Sequence, residues 1–301
     1  MAGIFVVGSV NQDYVLRLER RPEPGETVTD AELAMFPGGK GANQAVAAAR
    51  LLGAGRVSMI GRVGDDAAGP RLVENLEENG VDTAHVEAVA GATSGSAFIT
   101  VTPDGENAIV VSPGANRRFG AAEVEASAGA LREASVLVAQ MEVAVAAIER
   151  AAELVNGAGG RVLLNLAPAR EAPSSLLSNL DPLVVNEHEA KFLLGEDKDR
   201  GPERTAREPL SLGPRSAVVT LGAAGAALAT PEGTALYPAP RVEPVDTTGA
   251  GDAFAGALAA RLAQGDSLEE AVPYAVRAGA VAITRPGAQG ALPYPEELAK
   301  G

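Results

Sequence analysis

Residues 244–258 read PVDTTGAGDAFAGAL. Gly249-Ala250-Gly251 lets the chain bend at little cost, and Asp252 follows where the pattern predicts the start of a helix. Phe254, Ala257, Leu258 and Leu262 then fall on one helical face. An acid in a first turn can cap loose N–H groups and suit the helix dipole. The same arrangement can form a phosphate cradle, with the N–H groups of residues 249–251 facing an anion and a proton acceptor beside them. These fifteen residues leave both readings open.

Upstream of this stretch, short apolar runs alternate with alanine-rich helical patterns. Strands are expected at 4–10, 57–64, 136–140, 162–167, 183–187 and 217–222, and helices at 41–53, 67–80, 144–155 and 202–213. Continuous apolar strands separated by helices predict a mostly parallel, doubly wound sheet between helical layers. Two segments depart from the alternation. Residues 14–36 alternate polar and apolar around a PEPG turn, and residues 96–112 predict a hairpin around Pro103-Asp104-Gly105. Antiparallel pieces of this kind predict a small β-sheet lid over the carboxyl ends of the parallel strands. With no repeat or long linker, residues 1–301 read as one domain carrying that lid.

The composition excludes several functions. Zero cysteines rule out disulfides, thiolate metal sites and a cysteine nucleophile, and two histidines, His85 and His188, leave little for a histidine cage or a Ser-His-Asp hydrolase. A net charge of −14 argues against nucleic acid as partner, because phosphate backbones need a basic footprint. The start MAGIFVVGSV has neither the basic flank of a signal peptide nor the length of a membrane span, so a cytoplasmic protein without membrane contact is expected. An acidic protein that binds an anionic nucleotide must do so locally, through backbone N–H groups, a few basic residues and a metal ion.

Four further stretches offer such chemistry. Asn11 and Asp13 follow the first strand and suit the hydroxyls of a polyol, although Asx residues there are also common turn formers. FPGGKGANQ supplies the bare backbone of Gly38, Gly39 and Gly41 together with Lys40 and Asn43 at a helix start; its glycines also suit a hinge. It does not satisfy the Walker A pattern, and GSVNQD lacks the glycines of a dinucleotide fingerprint. In NEHEA, Asn186 and Glu189 stand three apart, as ligands for Mg²⁺ or as a helix-capping pair. TLGAAG ends a strand with Thr220, Gly222 and Gly225, where backbone can pass close to a nucleotide.

In sequence order and across nearly the whole chain, GSVNQDYV, PGETV, GGKGANQA, RVGDDAAG, NEHEA, VTLGAAG and DTTGAGDAF resemble the ribokinase-like (PfkB) family of carbohydrate kinases. The resemblance implies a three-layer α/β/α fold with a β-lid and transfer of the γ-phosphoryl of ATP to a small sugar. The resemblance is strongest in the GGKGANQ and DTxxAGD forms, and it implies O5 of D-ribose as the acceptor. By the same similarity, Asn11, Asp13, Gly38, Gly39, Lys40, Asn43 and Glu142 would hold the sugar, and Asp252 would be the catalytic base beside the anion hole of Gly249, Ala250 and Gly251. Asn186, Thr220, Gly222, Gly225 and Gly251 would line the ATP side, and Glu189 would help order Mg²⁺. A potassium site is implied at Asp246, Thr248, Ala282, Arg285, Gly287 and Ala291. Ala291 stands where serine is usual, and Val276 where a polar residue often faces the nucleotide. Pairing of two lids into a homodimer is a further implication.

Other readings remain. A sister kinase acting on 2-deoxyribose, a ketohexose derivative or a nucleoside is the nearest; aromatics at 3% disfavour the nucleoside. A non-catalytic sugar-binding regulator would be expected to lose Asp252 or the GAG turn, and both are intact. A dinucleotide-dependent dehydrogenase lacks its fingerprint.

Overall fold

The apolar start of the chain is not one strand. In the computed structural model, which describes residues 3–104, 107–195 and 201–299, strand β1 spans Ile4–Val7 and stops at Gly8. A second strand, β2 (Asn11–Arg17), then leaves for a different sheet. The expected strand 4–10 is therefore shorter than read, and Gly8-Ser9-Val10 connects it to a strand of the other sheet. Continuous apolar character could not reveal the change of sheet.

Among the described residues the remaining strands are β3 (Glu32–Gly38), β4 (Val57–Gly64), β5 (Val81–Val89), β6 (Gly95–Val101), β7 (Asn107–Ser112), β8 (Val136–Gln140), β9 (Arg161–Asn165), β10 (Leu183–Asn186), β11 (Ala217–Thr220), β12 (Ala226–Thr230) and β13 (Gly233–Tyr237). Nine of them form the main sheet in the order β13-β12-β11-β10-β9-β8-β1-β4-β5. The pairs from β11 through to β5 are parallel, and β12 and β13 add an antiparallel edge. Among the described residues, the helices of eight residues or more are α1 (Lys40–Leu52), α2 (Ala68–Glu78), α3 (Val145–Gly157), α4 (Glu187–Leu194), α5 (Ala250–Ala263) and α6 (Leu268–Ala282).

The sheet is buried on both faces, and its alternation divides the core. Val6, Val138, Leu163 and Val218 pack with α1, α5 and α6; Val7, Leu137, Leu164 and Val219 pack on the other face with α3. This is the expected three-layer α/β/α arrangement. From β1 the chain builds β4 and β5 on one side and β8 to β11 on the other. The order therefore reverses between β1 and β8, and α/β sheets open a crevice at the strand carboxyl ends at such a point.

Helix α5 departs from the single apolar face expected of it: every residue from Asp252 to Ala260 is buried, so the helix is packed all round. Gly256 makes this possible, because a Cβ there would lie 2.5 Å from the Ala47 Cβ and 2.9 Å from the Ala48 nitrogen. The helix expected at 202–213 is α-helical only over Pro202–Arg207 and continues as a 3₁₀ turn, Glu208–Leu212. Pro209 explains the change, having no N–H to continue the ladder.

The small sheet has the order β3-β2-β6-β7. Its strands begin earlier than the expected 14–36 and 96–112, and its central pair, β2 and β6, is parallel. Strands β6 and β7 pair antiparallel from Ser96↔Ser112 to Val101↔Asn107; Gly105 of the expected turn lies outside the described residues. Leu33, Phe36, Phe98, Ile109 and Val110 are exposed on this sheet, Val110 to 69%. Among the described residues no helix is long and apolar enough to cross a membrane.

Candidate active site

The switch point gathers the sugar-side residues named from sequence. After β1, Gly8 and Ser9 face the start of α1. A Cβ on Gly41 would stand 2.6 Å from the Ser9 nitrogen, so GGKG brings two backbones together where no side chain fits. Gly39 begins α1 at φ 88°, a left-handed value that favours glycine. Glu142, just past β8, accepts hydrogen bonds from the Ser9 hydroxyl at 2.5 Å and the Lys40 amide at 3.0 Å. Asn11 is buried, and its Oδ1 accepts from the Asn116 amide at 2.8 Å. Asn116 also bonds the Val10 backbone, donating to the carbonyl and accepting from the N–H. Neither Ser9 nor Asn116 was found from sequence, because only the folded chain brings residue 116 to residue 11.

Asp13 lies beside Gly38, where a Cβ would be 2.0 Å from its Oδ2. Its other oxygen, Oδ1, is buried and has no hydrogen-bond partner among the described residues. Burial, followed by the charges of Glu142 and Asp252, pushes the Asp13 carboxyl up to about 7, and the Lys40 ammonium only partly offsets them. Lys40 is the cation shared by this acid group. The charge of Asp252 leads in raising its pKa, burial opposes, and Glu142, Glu189 and Asp13 add to the rise. An acid-lined pocket with an unsatisfied buried carboxylate oxygen has the chemistry to accept hydrogen bonds from the hydroxyls of a neutral polyol.

Asp252, 6% exposed, is the third residue of α5. Its two oxygens accept from Asn43 Nδ2 and Gln44 Nε2, each at 2.9 Å. Asn43 Oδ1 accepts in turn from Gln289 Nε2 at 3.0 Å, and Gln44 Oε1 from Gln140 Nε2 at 2.7 Å. Gly249 caps the helix at φ 77°, packed against Ala288. Among the described residues no acceptor takes the N–H of Gly249 or Gly251. The expected three-amide hole is narrower than that: the Ala250 N–H closes a turn onto the Thr247 carbonyl at 3.4 Å. Two bare N–H groups at a fourteen-residue helix start, with the dipole behind them, remain available to an anion.

On the other side of this helix start lies a cleft of about 590 Å³. Thr220, Gly222, Gly225, Ala250 and Gly251 line it, with Val242, Phe254, Val276 and Ile283 as its apolar walls. The apolar walls were not foreseen apart from Val276, since single apolar residues in scattered segments carry no motif. Asn186 is not among the lining residues. Gly225 serves packing, because at φ 102° a Cβ there would stand 1.9 Å from the Tyr237 carbonyl.

Asn186 and Glu189 form the capping box of α4. The Glu189 N–H donates to Asn186 Oδ1 and the Asn186 N–H to Glu189 Oε2, each at 2.8 Å. The capping reading of NEHEA therefore holds. Burial raises the Glu189 pKa against the Asn186 amide and the Lys40 and His188 charges. Its second oxygen fits a hard cation held through water. Among the described residues no cluster of three or more His, Cys, Asp or Glu side chains could hold a metal by itself.

Asp246 ties two loops together: Oδ1 accepts from the Thr248 N–H at 2.9 Å and Oδ2 from the Gly287 N–H at 2.8 Å. Burial alone would raise its pKa, but these bonds and the charge of Arg17 outweigh it and leave the carboxyl below its ordinary range. Arg285 pairs with Glu297, which leaves only its main chain for the neighbouring loop. Ala282 and Ala291 are buried, and the Ala282 carbonyl accepts from the Arg285 N–H at 3.4 Å. One carboxylate and several carbonyls are the oxygen donors a potassium ion takes, with Ala291 able to offer only its backbone.

Residues 1–295 match the model of the pfkB family carbohydrate kinases. The chain belongs to this family. It is therefore a sugar kinase, a phosphotransferase with an alcohol acceptor. It is 38% identical over 298 residues to a ribokinase of Bacillus subtilis, covering 99% of this chain and 98% of that one. It is also 36% identical over 298 residues to a deoxyribokinase of Salmonella typhi, covering 98% and 97%. Among solved structures it resembles an Arabidopsis thaliana ribokinase complexed with ribose and ATP, with a TM-score of 0.92, 31% identity and coverage of 100% of this chain and 98% of that one.

Proposed function

We propose that this kinase transfers the γ-phosphoryl group of ATP to O5 of D-ribose, giving D-ribose 5-phosphate and ADP. The observation that carries the proposal is the position of Asp252. It is a buried carboxylate bonded to Asn43 on the polyol side, one residue from Gly251, which lines the apolar cleft. A similar protein has been solved with ribose and ATP together.

Asn11, Asp13, Gly38, Gly39, Lys40, Asn43 and Glu142 hold the sugar hydroxyls in this reading, while Thr220, Gly222 and Gly225 form the nucleotide wall. Asp252 accepts the O5 proton, the freed electron pair of O5 bonds to the γ-phosphorus, and the bond to the β-phosphate oxygen breaks with its pair leaving on ADP. Charge in this loose transition state lies on the equatorial oxygens, and in this reading the N–H groups of Gly249 and Gly251 stabilise it. Glu189 would hold Mg²⁺ through water, and the ion supplies neutralisation of the phosphate charge when bound. Potassium at the Asp246 loop would steady the same helix start.

We assign residues 1–301 to one kinase domain in the cytoplasm, in keeping with the absence of cysteine, and the exposed apolar lid to a homodimer contact. Coupled ADP release over D-ribose, 2-deoxy-D-ribose, ketohexoses and nucleosides tests the substrate. D-ribose is expected to give the highest kcat/KM; no sugar-dependent release would overturn the proposal. Preference for 2-deoxy-D-ribose would favour the second reading, which the similarity to a deoxyribokinase supports.

A further inference from the structure

Gln44 follows Asn43 in the GGKGANQ motif and has no role in the scheme above. Its side chain is 0% exposed and bonds to Gln140 at the end of β8. There it joins Asp252 to Gln140, which is also 0% exposed. The direction of these bonds is fixed by chemistry. An ionised carboxylate can only accept, so Gln44 must present its NH₂ to Asp252 Oδ1; its carbonyl must then accept from the Gln140 NH₂. Among the described residues Gln140 Oε1 has no donor, and Gly8 leaves it room, since a Cβ there would lie 2.1 Å away. A buried amide carbonyl without a partner is costly, so the Gln140 amide holds this orientation against a price in desolvation.

A second amide chain reaches the other oxygen. Asn75 donates to Gln289, Gln289 to Asn43, and Asn43 to Asp252 Oδ2. The two chains differ in where they lead. Asn43 belongs to the polyol side, whereas Gln44 and Gln140 end in the core.

We infer that Gln44, backed by Gln140, is a positioning residue that anchors Asp252 Oδ1 and so reserves Oδ2 as the oxygen that receives the sugar hydroxyl proton. The inference rests on the sugar-kinase reading and deepens it. The anchoring bond is charge-assisted and fully buried, and it survives when the sugar arrives because nothing at that end is exchanged. Without it the carboxylate keeps only the Asn43 bond on Oδ2, a single point about which it can turn on its Cβ–Cγ bond, and the proton acceptor is then misplaced in a larger share of encounters. Gln44 is 0% exposed and its side-chain bonds go to Asp252 and Gln140, so its loss is expected to act through Asp252.

The test is a double-mutant cycle. Gln44→Leu keeps the side-chain volume and removes the donor. Its kcat should fall about ten- to a hundred-fold, the size expected for a charge-assisted bond. KM for D-ribose and the sugar stoichiometry by calorimetry should stay as in wild type. Introduced into Asp252→Asn, the same change should cost nothing further, because residues that act as a unit are not additive. A merely structural role would lower kcat by the same factor in both backgrounds and would overturn the inference. Unchanged kcat in folded Gln44→Leu would also overturn it. Should Gln44→Leu not fold, Gln140→Leu carries the same cycle with a smaller drop. Wild-type protein without sugar-dependent turnover defeats the sugar-kinase reading instead. A crystal structure of Gln44→Leu then decides the point, with Asp252 turned from its wild-type rotamer if the inference holds and unmoved if it fails.

Discussion

At the proposed sugar end of the cleft, recognition is made of charged and amide side chains that hold one another. Asp13, Glu142 and Asp252 surround Lys40, Asn116 holds Asn11, and Gln44 holds Asp252. At the proposed nucleotide end, recognition is made of bare backbone at Gly222 and Gly251 and apolar walls at Val242, Phe254, Val276 and Ile283. The first kind of site discriminates by hydrogen bonding, because a missing hydroxyl leaves a buried polar group unpaired. The second discriminates by shape, where a methylene more or less matters modestly. The contrast predicts sharp losses from single changes at one end and shallow ones at the other.

Asp252→Asn should break the comparison at its centre. Turnover is expected to fall by about 10²–10⁴, the usual worth of a positioned general base, with sugar binding by calorimetry retained. Wild-type-like turnover would remove Asp252 from the chemistry. Asp13→Asn comes next, with sugar affinity at about pH 8 reduced by roughly ten- to a hundred-fold for a lost charge-assisted acceptor. Its stability should change in the opposite direction. With the folded carboxyl raised from 3.8 to about 7, the native state binds more protons than the unfolded chain across that window, and wild-type stability falls as pH rises through it. Asp13→Asn should therefore melt above wild type at about pH 8 and alongside it at about pH 4 in thermal scans. A variant equally stable at both would show that Asp13 ionises without cost.

Two weaker tests concern the other end. Val276→Ala should raise KM for ATP by about tenfold or less, from lost apolar contact, and leave KM for the sugar unchanged. A change in sugar KM would mean the two ends are not separate. Replacing potassium by Tris should slow turnover by about fivefold, the scale of a modest coupling between sites. Identical rates would detach the Asp246 loop from the helix start.

The same contrast explains what could be read before folding. Lys40 and Asn43 sit in a short polar motif that an ordinary helix start does not require, Asp252 follows a glycine turn that could also be a plain cap, and Glu142 is marked by the family resemblance; the fold brings all four together. Phe254 and Ile283 look like any core residue until the chain is folded, and Asn75, Asn116, Gln140 and Gln289 act through partners far along the chain. Strands β4 and β8 were legible as apolar runs and appear with the expected bounds. Strand β5, VDTAHVEAV, was not, because it is half-exposed at the sheet edge and reads as mixed polar sequence. Strand β12, AALAT, is made mainly of alanine, whose local preference is helical; its place in the sheet is imposed by packing between β11 and β13. Gln44 lay inside a motif that had been read, yet its partner Gln140 ends a strand 96 residues away.

One consequence follows from the early end of β1. Asn11 and Asp13 belong to β2, the strand that enters the small sheet, and they pair across it with Gly38 and Phe36 of β3. The side chains proposed to grip the sugar are thus rooted in the small sheet proposed as its lid. In that reading a tilt of the sheet would carry the grip along, so capture of the sugar and closure over it would form a single mechanical event.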